Sequence, residues 1–263
     1  MAPEKPSHYF SVHHQAPSHV KKIFTSVRGQ TLSLQTAANV FSSDGLDKGT
    51  EIFIGHLILP SLTPPSTPST SFNQSPPSTQ SPPSSPQEKV NILDLGAGYG
   101  PISIWLEKEL TLQTFPIRDA NVSFQIYASE INERAVWLLN RNIQANNCDH
   151  IKVLSGDFQE TGFLLLESGI KFDAIYSNPP LKTGHENMLA MFEMATRLLK
   201  PEGFIMYVHK KQLGAEGFQT KLHALHPDWV IETVKKQAGF HIIVFSPQSI
   251  ENPFKKASYS GYF

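Results

Sequence analysis

Val90-Asn91-Ile92-Leu93-Asp94-Leu95-Gly96-Ala97-Gly98-Tyr99-Gly100-Pro101 decides the fold. An apolar run of strand length ends near an acidic residue and passes into closely spaced glycines. Pro101–Leu110 then carries a helical pattern. Proline suits the first position of a helix, where its missing N–H would have no intrahelical partner. The glycines let the backbone turn sharply and approach a ligand, and the helix start presents free N–H groups.

The same rhythm continues downstream. Val122–Ser129 reads as a second strand with Asn132–Asn146 as its helix, and Ile151–Leu154 as a third strand. Phe172–Ser177 is a fourth, with Glu186–Leu199 behind it and Lys200-Pro201-Glu202-Gly203 as the helix stop. Phe204–Val208 is a fifth strand, Gly214–Leu225 a helix, and Val230–Lys235 with Phe240–Phe245 a closing pair. Alternating strands and helices predict an α/β fold with a mainly parallel sheet covered on both faces. The Gln237-Ala238-Gly239 link is too short for a crossover, so the closing strands are antiparallel to each other. That ending suits a methyltransferase better than a dehydrogenase.

Residues 1–59 form an N-terminal extension that covers the domain at 89–263. Within it Val20–Arg28 reads as a short helix, Thr31–Thr36 as a half-buried strand and Asn39-Val40-Phe41-Ser42 as a second short strand. Thr50 is placed to cap an apolar helical run, Ile52–Leu59. Between extension and domain, residues 60–88 form an insertion, whose Pro60–Pro86 part is almost wholly Pro, Ser and Thr. Such a stretch buries too little apolar surface to offset its ordering entropy and is expected to be disordered. A tolerated surface insertion is favoured over a ligand for a proline-recognising partner.

The bulk numbers narrow the function classes. Over 263 residues the formal net charge is -1 and hydrophobic residues make up 40%. No global positive field advertises a nucleic-acid binder, so any phosphate contact must be local. The single cysteine, Cys148, excludes an internal disulfide and a Cys-rich zinc site, and no metal is expected. No apolar run has membrane-spanning length, and Met1–Pro6 lacks the apolar core of a secretory signal. No membrane association is expected, and the expected location is cytoplasmic.

The glycine spacing, Gly96-Ala97-Gly98-Tyr99-Gly100, is Gly-x-Gly-x-Gly and departs from the pyrophosphate-binding Gly-x-Gly-x-x-Gly. Asp94 would repel a pyrophosphate, but it can stand near the cationic amino-acid part of S-adenosylmethionine. Glu130 ends the second strand, where one carboxylate can accept both hydroxyls of a ribose. Asp157 ends the third and could accept an adenine amino group, with Phe158 or Ile131 flanking the ring. Acids at consecutive strand ends define a pocket along the carboxyl edge of the sheet. Asn178-Pro179-Pro180-Leu181 follows the fourth strand. The Asn178 amide oxygen and the Pro179 carbonyl make two acceptors able to hold the hydrogens of a planar amine, aiming its nitrogen at a sulfonium methyl. Catalysis would then be positioning without an acid–base pair.

These residues resemble the methyltransferase small-domain family, which includes bacterial small-subunit ribosomal RNA guanine-N2 methyltransferases and similar archaeal proteins. The likeness also takes in His8-Tyr9-Phe10-Ser11, Val40-Phe41-Ser42, Leu46-Asp47-Lys48-Gly49-Thr50-Glu51, Ile131–Val136, Lys182-Thr183-Gly184 and Lys211-Gln212-Leu213-Gly214-Ala215. It implies a Rossmann-like class I methyltransferase fold with a seven-stranded sheet and an antiparallel last strand. It implies S-adenosylmethionine as donor and an exocyclic guanine amine in ribosomal RNA as the usual acceptor. Many amine methyltransferases carry an aromatic residue after Asn-Pro-Pro, where this chain has Leu181; Ala97 stands where cysteine or serine is frequent.

The leading expectation is thus an enzyme that methylates guanine N2 in RNA. A protein glutamine N-methyltransferase is the first alternative, since a side-chain amide offers similar geometry. A non-catalytic S-adenosylmethionine- or RNA-binding protein is the second. Lys21-Lys22, Lys210-Lys211, Lys235-Lys236 and Lys255-Lys256 could contact phosphate only if several converge on the pocket rim.

Overall fold

The computed structural model describes residues 17, 19–38, 40–42, 45–62, 89–114 and 123–250. His8–Ser11, Asn39, Lys255-Lys256 and the insertion from residue 63 to 88 lie outside the described residues.

The first described elements form a hairpin, β1 (Lys21–Val27) against β2 (Gln30–Thr36). The helix expected over Val20–Arg28 is therefore corrected. Ile23, Thr25 and Val27 alternate toward the protein while their neighbours face out, a period of two that β-branched residues favour. Arg28 and Gly29 form the connection with φ of 48° and 81°, the positive values a tight hairpin turn needs. Val40, Phe41 and Ser42 lie in bends and turns, so no second strand forms there. Helix α1 (Lys48–Gly55) is capped by Asp47, whose carboxylate accepts from Thr50 N at 3.0 Å; Thr50, expected as the cap, sits inside the helix.

The rest is β3 (Lys89–Leu95), α2 (Pro101–Thr114), β4 (Ser123–Glu130), α3 (Glu133–Ala145), β5 (Ile151–Ser155), α4 (Phe158–Glu167) and β6 (Phe172–Ser177). Then follow α5 (His185–Leu198), β7 (Leu199–Lys210), α6 (Ala215–Leu225), β8 (Val230–Gln237) and β9 (Phe240–Ser246). The seven-stranded sheet has the order β5-β4-β3-β6-β7-β9-β8. Its first five strands pair in parallel, and β9, the last among the described residues, runs antiparallel to both β7 and β8. Helix α4 has no counterpart in the sequence reading. Gly162 interrupts its pattern, yet that glycine is what lets it close on α5: a Cβ there would lie 2.6 Å from Met194. Strand β7 also takes in Lys200–Gly203, read from sequence as a helix stop, with an irregularity in its pairing to β6.

Each face of the sheet has its own core. Trp105, Phe53, Leu138, Ile92 and Met206 share one, under α1, α2 and α3. Phe172, Phe192, Tyr207 and Phe218 share the other, under α4, α5 and α6. The N-terminal extension belongs to the first: Leu32, Leu34, Ile52 and Phe53 are buried in it. Pro60 and Leu62, assigned from sequence to the insertion, are buried as well, and Leu62 joins the same core. The hairpin is stitched to α3 by two asparagines one turn apart. Asn142 accepts from Gln35 N at 2.6 Å and donates to Gln35 O at 2.9 Å; Asn146 bonds Ser33 N and O at 3.2 and 2.7 Å. Side-chain amides thus imitate a neighbouring strand and satisfy the outer edge of β2. No helix among the described residues is long and apolar enough to cross a membrane.

Candidate active site

The sheet order reverses between β3 and β6, so the loops after β3, β4 and β6 meet at one carboxyl edge, where ligands bind in open α/β sheets. The register aligns them: Leu95 pairs with Ser129, and Asp94 with Tyr176. Ser177 Oγ donates to Leu95 O at 2.8 Å, drawing the end of β6 toward the glycine loop. Gly96 N and Ala97 N both donate to Ser129 O, at 3.0 and 2.9 Å. Gly96 and Gly98 have φ of 78° and 59° with open space where a Cβ would stand. Gly100 has a different role, since a Cβ there would lie 2.4 Å from Leu139 Cδ1 of α3.

Asp94 is fully buried. One oxygen, Oδ2, accepts from Ser103 N at 3.0 Å and Ser103 Oγ at 2.5 Å, holding the first turn of α2. The other, Oδ1, is buried without a hydrogen-bond partner among the described residues. Burial pushes the carboxyl up to about 7, with the Ser103 bonds opposing and the Glu130 charge adding to the rise. A buried acceptor left over beside a glycine loop fits a ligand that brings a positive charge. That is the polarity of the amino-acid end of S-adenosylmethionine.

Glu130 uses both oxygens on backbone: Oε2 accepts from Gly98 N and Oε1 from Asn132 N, each at 2.8 Å. It stands at the loop it was expected to accompany. Ile131 beside it is 63% exposed, whereas Phe158 is buried among Leu165, Met194 and the rest of that core. Of the two residues expected to flank an adenine, Ile131 is thus the one open to a ligand. Asp157 is exposed and caps α4, accepting from Gln159 N at 2.7 Å.

Asn178 is half-buried at the end of β6, and its Nδ2 donates to Thr50 Oγ1 at 2.8 Å and Asp47 Oδ2 at 3.3 Å. The Pro179 carbonyl accepts from Leu181 N at 2.8 Å, which leaves it one lone pair. Leu181 packs on the apolar core rather than standing free. Asn178 lines a cleft with Gly96, Ala97, Gly98 and Tyr99 on one side and Phe41, Ser42, Asp47 and Thr50 on the other. Sequence reasoning left those N-terminal residues out of the site. Asp47–Thr50 carried family likeness, but nothing local said that it folds back onto residue 178. The Tyr99 hydroxyl donates to Gly45 O at 3.2 Å and closes this wall. Burial pushes that phenol up to about 12.

Two of the lysine pairs lie at this same edge of the sheet, on strands either side of β9. Lys210 ends β7 and Lys211 follows it; Lys235 and Lys236 lie near the end of β8, and all four are exposed. His241 of β9 pairs with His209 on one side and Lys236 on the other. Burial first, then the nearby Lys236 and Lys211 charges, lower the His241 pKa, partly offset by Glu216. Lys21-Lys22 begins the hairpin, which is a separate two-stranded sheet.

Comparison with known proteins agrees with this fold. The family described as Methyltransferase small domain matches residues 83–244. The uncharacterized protein YbxB of Bacillus subtilis (strain 168) is 27% identical over 236 residues, covering 90% of this chain and 96% of that protein. A release factor glutamine methyltransferase of Fusobacterium nucleatum is 32% identical over 93 residues, 35% of this chain and 22% of that enzyme. Among solved structures, the T. thermophilus 16S rRNA N2 G1207 methyltransferase (RsmC), in complex with AdoMet and guanosine, superimposes with a TM-score of 0.60 at 19% identity. That match covers 88% of this chain but 52% of that one, so the chain spans about half its length.

Proposed function

This chain belongs to the methyltransferase small domain family, and from that premise we propose that it methylates the exocyclic N2 amine of guanine in RNA, with ribosomal RNA as the substrate. Its donor is S-adenosylmethionine. The observation that carries the proposal is the Asn178 amide, which turns its NH2 toward Asp47 and Thr50 and keeps its oxygen for a ligand in the cleft of the glycine loop.

The donor, when bound, supplies an electrophilic methyl group on sulfur. Glu130 would accept the ribose hydroxyls, sharing lone pairs with or replacing its bonds from Gly98 N and Asn132 N. Ile131 would cover one face of the adenine, Asp157 would accept its amino group, and the free oxygen of Asp94 would face the ammonium. Gly96, Ala97 and Gly98 would give the methionine end its backbone surface. Asn178 Oδ1 and the remaining Pro179 lone pair would accept the two hydrogens of the acceptor amine, so its nitrogen lone pair points along the line of attack. The amine attacks as a neutral nucleophile, so no residue need act as general base before the methyl moves; the carbon–sulfur bond breaks as the carbon–nitrogen bond forms, and the proton then surplus on nitrogen leaves to solvent. Pro180, whose ring holds the backbone of the turn, and Leu181, packed on the apolar core, would keep this geometry fixed.

The guanine acceptor is carried over from the T. thermophilus enzyme, with which the chain shares the fold. Lys210, Lys211, Lys235 and Lys236 support an RNA substrate, since exposed ammonium groups at the catalytic edge suit phosphates despite the net charge of -1. A base buried in a helix would have to be unstacked to reach Asn178, so single-stranded RNA is the preferred presentation. On this reading the protein works in the cytoplasm, alongside ribosomal RNA. Transfer to a protein glutamine is the second reading, favoured by the partial likeness to the release-factor enzyme. Incubating the protein with labelled donor and total RNA or total protein separates the two. Label in RNA, mapped by mass spectrometry to N2-methylguanine, is expected; label confined to protein overturns the proposal.

A further inference from the structure

Asn178 is gripped through one end of its amide. Nδ2 donates to Thr50 Oγ1 at 2.8 Å and to Asp47 Oδ2 at 3.3 Å, across 128 and 131 positions of sequence. An amide has nearly the same shape in both flips, so its neighbours decide which end faces the cleft. Asp47 Oδ2 already accepts from Thr50 N, and serves Asn178 as an acceptor. The Thr50 hydroxyl has one proton, and its oxygen lies 3.4 Å from the same Asp47 oxygen, which draws that proton. What Thr50 shows Asn178 is therefore a lone pair. Both neighbours demand the NH2, and a flipped amide would set oxygen against oxygen.

Asp47 is itself well anchored. It caps α1, accepting from Thr50 N at 3.0 Å. Gly49 brings the turn close: a Cβ there would lie 2.8 Å from Phe240 Cε1 and 2.9 Å from Asp47 Oδ2. In Asp47-Lys48-Gly49-Thr50 the acid orients, the glycine allows the approach, and the threonine relays.

We propose that Asp47 and Thr50 are positioning residues that lock the amide of Asn178 so that its oxygen, and never its NH2, meets the acceptor amine. This rests on the reading of Asn178 as the residue that holds that amine. The N-terminal extension thereby completes the active site.

Thr50→Val tests it, because valine keeps the shape and the backbone N–H that Asp47 caps. Methyl transfer should fall at least about tenfold in kcat, with calorimetric affinity for S-adenosylhomocysteine unchanged. Exchange of the Asn178 side-chain NH2, followed by 15N NMR on the ligand-free protein, should speed up. Thr50→Ser keeps a hydroxyl and should preserve both readouts. Asn178→Asp sets two carboxylates together, and adding Asp47→Asn supplies a donor again. The double variant should recover activity over Asn178→Asp alone. Wild-type kcat and wild-type amide exchange in Thr50→Val, or a double variant no better than the single one, overturns the proposal. If the protein methylates no RNA, the proposed function fails, and the NMR readout still decides the relay.

Discussion

The Glu130 carboxylate accepts the amide of Gly98 at 2.8 Å, so the end of β4 and the glycine loop after β3 form one rigid corner. The acid proposed to hold a ribose also shapes the loop beside it. Glu130→Ala should weaken S-adenosylhomocysteine binding about tenfold to a hundredfold, the worth of one charge-assisted hydrogen bond. Titration calorimetry would check this, and unchanged affinity would remove Glu130 from the donor site.

Asn178→Ala should show the opposite division. Loss of an oriented acceptor in a catalytic cleft lowers turnover about a hundredfold or more. Donor affinity should stay at the wild-type level, because Asn178 bonds to Asp47 and Thr50 rather than to the glycine loop. A loss of donor affinity as large as the loss of turnover would contradict this assignment.

Asp94 gives a pH signature. Burial holds its carboxyl at about 7, against an ordinary value of 3.8. Between these values the folded chain keeps a proton that the unfolded chain has released, so this group's contribution to stability falls as pH rises through that window. Asp94→Asn should flatten that part of the stability profile in denaturation series spanning the same range. A cationic donor favours the ionised form, so binding near neutral pH should release a proton in the wild type and none in Asp94→Asn. Calorimetry in buffers of different ionisation heat reads this directly; equal release in both would refute it.

Asn142 carries the N-terminal hairpin. It is fully buried, bonds Gln35 through both ends of its amide, and donates to Tyr99 O at 2.8 Å. Asn142→Ala leaves those backbone groups unpaired and should destabilise the fold by about 3 kcal/mol. Asn146→Ala, at a half-buried position, should cost less. Urea denaturation of the two variants would compare them, and the reverse order would contradict the docking described above.

Gly100 and Gly96 separate two uses of glycine. Both have positive φ, but only Gly100 faces a neighbour, Leu139 Cδ1, at 2.4 Å from an added Cβ. Gly96→Ala should cost about 1–2 kcal/mol from backbone conformation alone. Gly100→Ala adds overpacking to that and should cost about 1–3 kcal/mol more. Thermal unfolding would rank them, and shortening Leu139 to alanine should narrow the gap.

The α/β alternation was legible because each unit declares itself locally. Phe172–Ser177 matches β6 residue for residue, and Pro101 opens α2 where its missing N–H does no harm. The misreadings have physical causes. In Val20–Arg28 the helical reading passes over the period-two pattern of Ile23, Thr25 and Val27, and pairing with β2 is what makes the strand plain. Helix α4 escaped notice because Gly162 looks like a breaker until Met194 is seen against it.

Asp94, the glycines, Glu130 and Asn178 could be named as candidates from the chain alone, because strand ends carry short motifs whose chemistry is local. The part of Asp47 and Thr50 could not. Their meeting with Asn178 spans 131 and 128 positions, and no periodicity records a contact of that range. Nor could the chain alone tell exposed Ile131 from buried Phe158, or set Lys210-Lys211 and Lys235-Lys236 at one edge of the sheet. Motif chemistry is carried by neighbouring residues and survives without a fold. Orientation, burial and the company a side chain keeps exist only once the sheet, its two cores and the docked hairpin have closed around them.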